Sequence, residues 1–252
     1  MPSQVPGTEI KVVSFNVRWP DDKDAGKLAL LFKHDKEIGG ATILALQEVD
    51  RNKKRTGNKN IVKTLAEELG MHYAWAAPPK PKSEKEEETG VAILSPYALT
   101  DVTRIVLPHD GPGGRRRVAL GATVKSGAAS LRIYSVHSET RISISKKLDQ
   151  MKAVLEDLKH YDKEMPALVV GDLNTWEQEA VSRTEKLFTS EGFHTPFDTN
   201  PTFSRRVLFI SIDLKLDWIW LRNLEATSHG VDRDVELSDH WPLWAVVRPK
   251  KT

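Results

Sequence analysis

Short apolar runs that end at polar residues recur along the whole chain. Runs of about four to eight residues rich in Val, Ile and Leu predict buried β-strands. The predicted strands cover residues 10–17, 42–46, 72–76, 90–95, 101–107, 117–124, 131–136, 167–170, 216–221 and 242–247. Apolar residues at helical spacing predict helices over residues 27–38, 61–69, 143–161 and 177–190. Because many neighbouring strands follow one another without a helix, the pattern favours mixed sheets with helices outside them.

The run 167–170 shows most clearly how an apolar strand meets polar chemistry. It stops at Gly171, and Asp172 and Asn174 follow two residues apart, so both side chains are expected to point the same way. A carboxylate beside a carboxamide at the mouth of a sheet suits a phosphate or a hard metal ion. The alternative is an Asx turn, in which both side chains bond only to the local backbone.

Other polar residues stand in or directly beside the apolar runs in the same way. They are Asn16, Glu48, His137, Asp217 and the pair Asp239 and His240. Several acids that share one sheet edge cannot all be ionised without a counter-charge. A divalent cation would supply it, and a donor set without Cys favours Mg²⁺, Mn²⁺ or Ca²⁺ over zinc.

The composition is that of one globular domain without covalent cross-links. Of 252 residues, 39% are hydrophobic and 29% charged, and there is no cysteine. The lack of Cys excludes disulfides, thiolate metal ligands and cysteine nucleophiles. We expect a single domain over residues 8–249, flexible termini at 1–7 and 250–252, and a monomer. The charged stretch 78–88 predicts a solvated loop.

Charge and hydropathy restrict the partners and the compartment. A net charge of +2 gives no global field that would by itself attract nucleic acid. No apolar run approaches the ~20 residues of a membrane span. The first eight residues are polar and lack a signal-peptide core, which predicts a cytoplasmic protein. A secreted chain whose leader had been removed would show the same pattern.

Six short motifs occur in order between residues 10 and 247. They are Ser14-Phe15-Asn16, Leu46-Gln47-Glu48, the run 90–95, Ser135-Val136-His137, Gly171-Asp172-Leu173-Asn174 and Ser238-Asp239-His240. Together they resemble the endonuclease/exonuclease/phosphatase superfamily, also called DNase I-like. The resemblance implies a four-layer α/β sandwich of two packed sheets flanked by helices, with the active site at one edge of both sheets.

The same resemblance implies a Mg²⁺-dependent phosphodiesterase that works by in-line attack of water. Glu48 would be the principal metal ligand, helped by Asn16 and Asp239. Asp172 would orient or deprotonate the attacking water, and Asn174 would hydrogen-bond the phosphorane oxygens.

Two histidines complete the implied catalytic set. His240, paired with Asp217, would contact the scissile phosphate or transfer a proton. His137 would act from the far side of the phosphate as a donor or general acid. Glu88 resembles the acid that orients this histidine in some members.

The substrate is less closely defined by the motifs. The segments 137–141 and 238–241 look like the tyrosyl-DNA phosphodiesterase branch, whereas 47–51 and 70–73 look like uncharacterised bacterial metal-dependent hydrolases. His137 stands where abasic-site enzymes of the superfamily carry a tyrosine, which argues against that activity. A phosphate-ester substrate is expected, with DNA or RNA as the favoured class. The alternatives are a phospholipid or inositol phosphate hydrolase and a catalytically inactive binding module.

Candidate substrate-binding residues surround the expected site. Basic residues at 51–55, 115–117 and 205–206 predict a phosphate-binding rim. The strongest candidates for substrate binding are Arg117, within this rim, and Arg141, outside it. Trp176 and Trp241 directly follow catalytic motifs and could stack on a base or sugar. No apolar hairpin suited to membrane docking is evident, which counts against a lipid substrate.

Overall fold

The computed structural model describes residues 9–79, 88–126 and 129–250, in which two β-sheets pack face to face. The strands are β1 (Ile10–Asn16), β2 (Ile43–Arg51), β3 (His72–Ala76), β4 (Glu88–Ser95), β5 (Leu99–Val106), β6 (Val118–Ser126), β7 (Ala129–His137), β8 (Ala167–Asp172), β9 (Phe203–Val207), β10 (Ile210–Leu214), β11 (Asp217–Arg222), β12 (Leu224–Val231) and β13 (Leu243–Pro249). The α-helices are α1 (Asp22–His34), α2 (Ile61–Leu69), α3 (Ile144–Leu158) and α4 (Gln178–Ser190).

Both sheets are mixed, as the sequence predicts. The first has the order β12-β13-β1-β2-β4-β3 and the second the order β11-β8-β7-β6-β5. Each contains one parallel pair, β1 with β2 and β7 with β8, among antiparallel neighbours. Strand β1 pairs on its other side with β13, so that Ile10 lies opposite Val247.

Three hydrophobic clusters separate the four layers. Residues of both sheets, such as Val12 and Leu168, pack against each other between the sheets. The alternate residue Val13 faces outward among the side chains of α1 and α2, and Val169 faces outward among those of α3 and α4. Because the central strands are buried on both faces, their sequences are continuous apolar runs. The predicted four-layer α/β sandwich is confirmed.

The helix boundaries differ from the predicted ones where a cap decides them. Helix α1 begins at Asp22 because the side chain of Asp21 accepts a hydrogen bond from the amide of Asp24. It ends at His34, before the predicted end near residue 38. Strands β9, β10 and β12 were not predicted, since exposed polar residues interrupt their apolar pattern.

The hairpin of β9 and β10 stands apart from both sheets. Among the described residues neither strand pairs with any other strand, and the turn between them consists of Leu208 and Phe209. Both turn residues, together with Ile210 and Ile212, are exposed. The expectation that the chain has no apolar hairpin was therefore wrong, because the apolar residues fall on a turn and one strand face instead of in a long run.

The predicted flexible ends fall largely outside the described residues. This holds for residues 1–7 and 251–252. Residues 80–87 of the predicted charged loop also lie outside the described residues. Within the parts of the chain that the structure describes, no helix is both long and apolar enough to cross a membrane.

Candidate active site

Strand register brings the predicted polar residues to one edge of the two sheets. In the second sheet Asp172 at the end of β8 lies opposite His137 of β7 and opposite Asp217 of β11. From the first sheet, Asn16 at the end of β1 reaches across, and its Nδ2 donates to Asp172 Oδ2 at 3.0 Å. The site is therefore built at the seam between the sheets.

Local backbone distortions at three positions shape this seam. A bulge in β2 between Leu46 and Val49 places Glu48 at a φ of +58°, and Asn174 has a φ of +52°. Such left-handed backbone is uncommon for residues other than Gly and concentrates at functional sites. Gly171 has a φ of +134°, and a Cβ there would lie 2.1 Å from the carbonyl oxygen of Val136, so only glycine fits between β7 and the turn.

The polar residues line a cleft of about 540 Å³ at this edge. Its walls are formed by Asn16, Arg18, Trp19, Glu48, His137, Thr140, Asp172, Asn174, Trp176, Phe203, Arg205, Leu214, Leu216, Asp239 and His240. The lining thus combines carboxylates, amides and imidazoles with three aromatic rings, those of Trp19, Trp176 and Phe203.

Asp172 is the most strongly perturbed acid of the cleft. Its Oδ1 accepts from the amide of Asn174 at 3.0 Å, and its Oδ2 accepts from Asn16. Burial raises the pKa of Asp172 to about 7, with further contributions from the charges of Asp217 and Glu48 and an opposing one from His240. The carboxylate can therefore accept a proton near neutral pH.

His240 forms a buried dyad with Asp217. Its Nδ1 lies 2.9 Å from Asp217 Oδ2, which also accepts from the hydroxyl of Thr202 at 2.8 Å. Burial opposes the imidazolium, but the charges of Asp217, Asp172 and Asp239 outweigh it and raise the pKa of His240 to about 9. The dyad leaves a protonated Nε2 facing the cleft, 3.9 Å from Asp172 Oδ2.

His137 is held in the opposite protonation state. The Arg117 guanidinium lies 3.3 Å from Nδ1, and since a guanidinium has no acceptor, Nδ1 must be the acceptor. The proton then sits on Nε2, which lies 3.6 Å from Asp172 and 3.8 Å from Glu48. Burial, followed by the charge of Arg117, lowers the pKa of His137 well below its usual value. His137 is a neutral hydrogen-bond donor.

The orientation of His137 comes from Arg117 and not from Glu88. The carboxylate of Glu88 pairs with Arg51, which corrects its expected role as partner of His137. Arg117 is instead fixed by the fully buried carboxylate of Glu139 at 3.3 Å, which Arg115 also contacts. Glu139 was not predicted as a site residue. Its position two residues after His137 in the sequence does not reveal that its carboxylate contacts Arg115 and Arg117.

The donor set of the cleft fits a hard divalent cation. Glu48 and Asp239 both face the cleft, and burial raises the pKa of Glu48. Carboxylates at this density need a counter-charge, and among their described neighbours Asp239 has only Arg18, at 3.4 Å. Oxygen donors of carboxylates and amides suit Mg²⁺, Mn²⁺ or Ca²⁺.

A second grouping of potential ligands lies deeper in the site. Ligand atoms of Asp172, Asp217 and His240 lie within 4.8 Å of one another. The 2.9 Å hydrogen bond between Asp217 and His240 already explains this proximity, so we assign these groups to proton chemistry.

The predicted substrate-binding residues are only partly brought to the cleft. Trp176 lines it, whereas the side chain of Arg141 is exposed outside its walls and Trp241 stacks instead on Arg233. Of the predicted basic rim, Arg205 lines the cleft. Arg51, Arg55, Arg115 and Arg116 are paired with Glu88, Asp50, Glu139 and Asp110.

Lys147 is a buried site residue that the sequence interpretation missed. Its Nζ donates to the backbone oxygen of Asn174 at 2.7 Å and lies 3.7 Å from the ring centre of Trp176. The available signal was its spacing, since Lys147 falls on the same face of α3 as the buried Met151 and Val154. Through this hydrogen bond, Lys147 stabilises the turn that carries Asn174.

Carboxylates, amides and two histidines meet at the edge that the two sheets share. In a four-layer sandwich this arrangement defines a metal-dependent phosphoesterase. The sequence model of the Endonuclease/Exonuclease/phosphatase family matches residues 13–240, and the chain belongs to that family. It is accordingly a phosphoric ester hydrolase, and the family generally uses divalent metals. No match was found among curated proteins.

Solved structures confirm the fold over almost the whole chain. An endonuclease/exonuclease/phosphatase from Beutenbergia cavernae DSM 12333 is 17% identical, with a TM-score of 0.74 over 96% of this chain and 72% of that one. The human Nocturnin catalytic domain with bound sulfate anion is 19% identical, with a TM-score of 0.72 over 96% and 94%. ANGEL2, a 2′,3′-cyclic phosphatase, in complex with adenosine-2′,3′-vanadate is 14% identical, with a TM-score of 0.72 over 97% of each chain.

Proposed function

We propose that the protein is a Mg²⁺-dependent phosphodiesterase that acts on nucleic acid or nucleotide-like substrates. The observation that carries the proposal is the convergence, in one cleft, of polar residues that are up to 224 positions apart in sequence, as for Asn16 and His240. Family membership supports phosphate-ester chemistry, and the residue roles below are our assignment.

The first part of the reaction is the attack of water on phosphorus. Glu48, with Asn16 and Asp239, would hold the Mg²⁺, which supplies positive charge to the non-bridging oxygens. Asp172 accepts the proton of the attacking water, and its two hydrogen bonds fix the carboxylate for in-line attack.

The second part is the stabilisation of charge on the phosphate and the leaving group. His240 donates from Nε2 as an imidazolium, because Asp217 holds its other nitrogen. His137 donates from Nε2 as a neutral imidazole, and the Asn174 side chain provides a further amide donor at the cleft wall. Donors on both sides of the phosphorus suit a trigonal bipyramidal transition state.

The aromatic walls favour a nucleotide-like group beside the phosphate. Trp19, Trp176 and Phe203 offer ring faces on which a base or sugar can stack. The neighbour ANGEL2 was solved with an adenosine-2′,3′-vanadate, and the Nocturnin domain with a sulfate anion. The adenosine-2′,3′-vanadate complex supports our choice of nucleotide-like substrates.

Hydrolysis of soluble and oligonucleotide diesters with Mg²⁺ tests the proposal. We expect EDTA to abolish turnover, and Asp172→Asn, Glu48→Ala and His240→Ala each to lower kcat/KM by about 10²–10⁴-fold. Asp234→Asn, at an exposed acid outside the cleft, is the matched control and should retain full activity. Turnover that persists in all three cleft variants would contradict the mechanism.

A phospholipid substrate is the second candidate, favoured by the apolar hairpin beside the cleft. Phe203 and Leu214 at the base of the hairpin line the cleft, and the apolar residues continue to the tip. Faster hydrolysis of phospholipid vesicles than of single-stranded DNA under the same Mg²⁺ concentration would favour this candidate over the first.

A further inference from the structure

Among the described residues, the most exposed large apolar side chains lie together on the hairpin of β9 and β10. Leu208, Phe209, Ile210 and Ile212 are 84%, 94%, 69% and 42% exposed. Other exposed large apolar residues, such as Leu30 on α1, occur singly or in the wall of the cleft. A contiguous exposed patch of this kind marks an interaction surface.

Strand pairing gives the hairpin one apolar and one polar face. Residues paired across an antiparallel ladder point to the same side, so Ile212 shares a face with Arg205, and Leu214 shares it with Phe203. The opposite face carries Ser204, Arg206, Ser211 and Asp213, where the hydroxyls of Ser204 and Ser211 lie 3.2 Å apart. This face therefore carries Phe203 and Leu214 at the cleft wall, Arg205 beside Ile212 in the middle, and Ile210 next to the exposed tip.

The turn itself is built from residues that a hairpin turn disfavours. Leu208 has a φ of +55°, a conformation that two-residue hairpin turns usually assign to Gly, Asn or Asp. A bulky apolar residue in left-handed backbone costs stability, and its side chain gains no burial in return. Folding of the chain therefore does not account for the apolar character of the tip.

We propose that this hairpin docks the protein on an anionic phospholipid surface. The Leu208, Phe209 and Ile210 side chains would enter the boundary between headgroups and acyl chains, as amphipathic elements do. Arg205 and Arg206 stand on opposite faces next to the tip and have no carboxylate partner among the described residues, so both can meet anionic headgroups.

The composition of the tip distinguishes this occupant from nucleic acid. Binding of single strands relies on aromatic platforms within a basic groove, and the tip offers one aromatic ring among aliphatic side chains. A tip of a few residues is also small compared with a stable protein interface, which buries about 1,200–2,000 Å². Docking here brings a headgroup diester to the cleft, and it adds to the proposed function without depending on which diester is cleaved.

The experiment measures vesicle binding and not turnover. The full chain carrying Asp172→Asn is floated with vesicles of phosphatidylcholine alone and with vesicles containing about 30% phosphatidylserine. The comparison variant adds Leu208→Gly with Phe209→Asn, a pair that removes the apolar tip and places glycine at the turn position with positive φ, so the hairpin remains folded. Leu30→Gln is the matched control, because Leu30 is a single exposed apolar side chain of α1.

We expect flotation with the anionic vesicles, a loss of at least about tenfold in the partition coefficient for the tip variant, and no change for Leu30→Gln. The tip variant without Asp172→Asn should hydrolyse bis(p-nitrophenyl) phosphate at the unmodified rate. Failure of the parent to float, equal flotation of the tip variant, or a tip variant that loses only single-stranded DNA binding would each overturn the proposal. Because binding is read without catalysis, these results are independent of the proposed phosphodiesterase activity.

Discussion

For single residues of this protein, the sequence predicts chemical roles, but it does not predict which side chains each residue contacts. Asn16, Asp172 and His240 were recognisable because a polar side chain inside or beside an apolar run needs a reason to be there. Their convergence in the cleft follows from strand register, which makes neighbours of strand ends. Glu88 and Trp241 also stand beside motifs, but the backbone turns their side chains to Arg51 and Arg233.

At this scale the most specific prediction concerns Arg117. We expect Arg117→Met to lower kcat by about 10–100-fold with little change in KM, because His137 loses the group that fixes its tautomer and orientation. Arg116→Met is the matched control, since Arg116 is exposed and pairs only with Asp110 among the described residues. Steady-state kinetics on a soluble diester check this, and a raised KM at unchanged kcat would instead make Arg117 a simple phosphate-binding residue.

At the scale of elements, apolar runs predicted the buried strands and the partly exposed β5, and they missed the surface strands β9, β10 and β12. Central strands are buried on both faces, so burial alone determines their sequence. Strands β9, β10 and β12 are stabilised by backbone pairing at the surface, where side chains are free to vary. The helices were found from spacing, while their ends depended on caps such as Asp21.

One contact between elements has a pH dependence that can be measured. Asp35, which follows the last turn of α1, lies beside the buried Asp232 of the connection between β12 and β13. Burial, and then the charge of Asp35, raises the pKa of Asp232 to about 6. Because the folded-state pKa lies above that of the unfolded chain, this carboxyl group lowers stability progressively as the pH rises from about 4 to about 6.

We expect Asp232→Asn to be more stable than the parent by about 1–2 kcal/mol at pH 7 and equally stable at pH 4. The Asn side chain retains an acceptor for the amide of Asp234 and can donate to Asp35. Urea unfolding at both pH values measures the difference. Asp234→Asn, at an exposed carboxylate, should show no comparable pH-dependent gain, and a gain that persisted at pH 4 would have another origin.

At the scale of the whole molecule, the sequence motifs were sufficient to predict the fold. They were not sufficient to predict which charged side chains pair with each other. The order of the motifs along the chain implied two packed sheets, which the structure confirms. The predicted basic rim depended on arginines whose partners lie far away in sequence, as for Arg51 and Glu88. Ion pairs of this kind cannot be predicted from the local sequence pattern, because the partners become neighbours only when the chain has folded.

If the proposed function holds, this charge pairing should limit the salt dependence of binding to nucleic acid. With few unpaired arginines near the cleft, we expect the affinity of the Asp172→Asn protein for a single-stranded oligonucleotide to fall only about tenfold over a fourfold rise in salt. Fluorescence anisotropy titrations at several salt concentrations measure the slope. An affinity independent of salt would indicate that phosphate contacts make no contribution, and a much steeper slope would mean that the paired arginines exchange their partners on binding.

The position of β13 has a consequence for how the protein is made. This strand joins the first sheet between β1 and β12, so until residues 243–249 leave the ribosome β1 presents an open edge. Asp239 and His240 are translated just before it. In nascent chains the edge of β1 therefore stays unpaired until β13 has been synthesised, and the cleft is incomplete until Asp239 and His240 are in place. Co-translational aggregation and chaperone contact should concentrate at β1 during this interval.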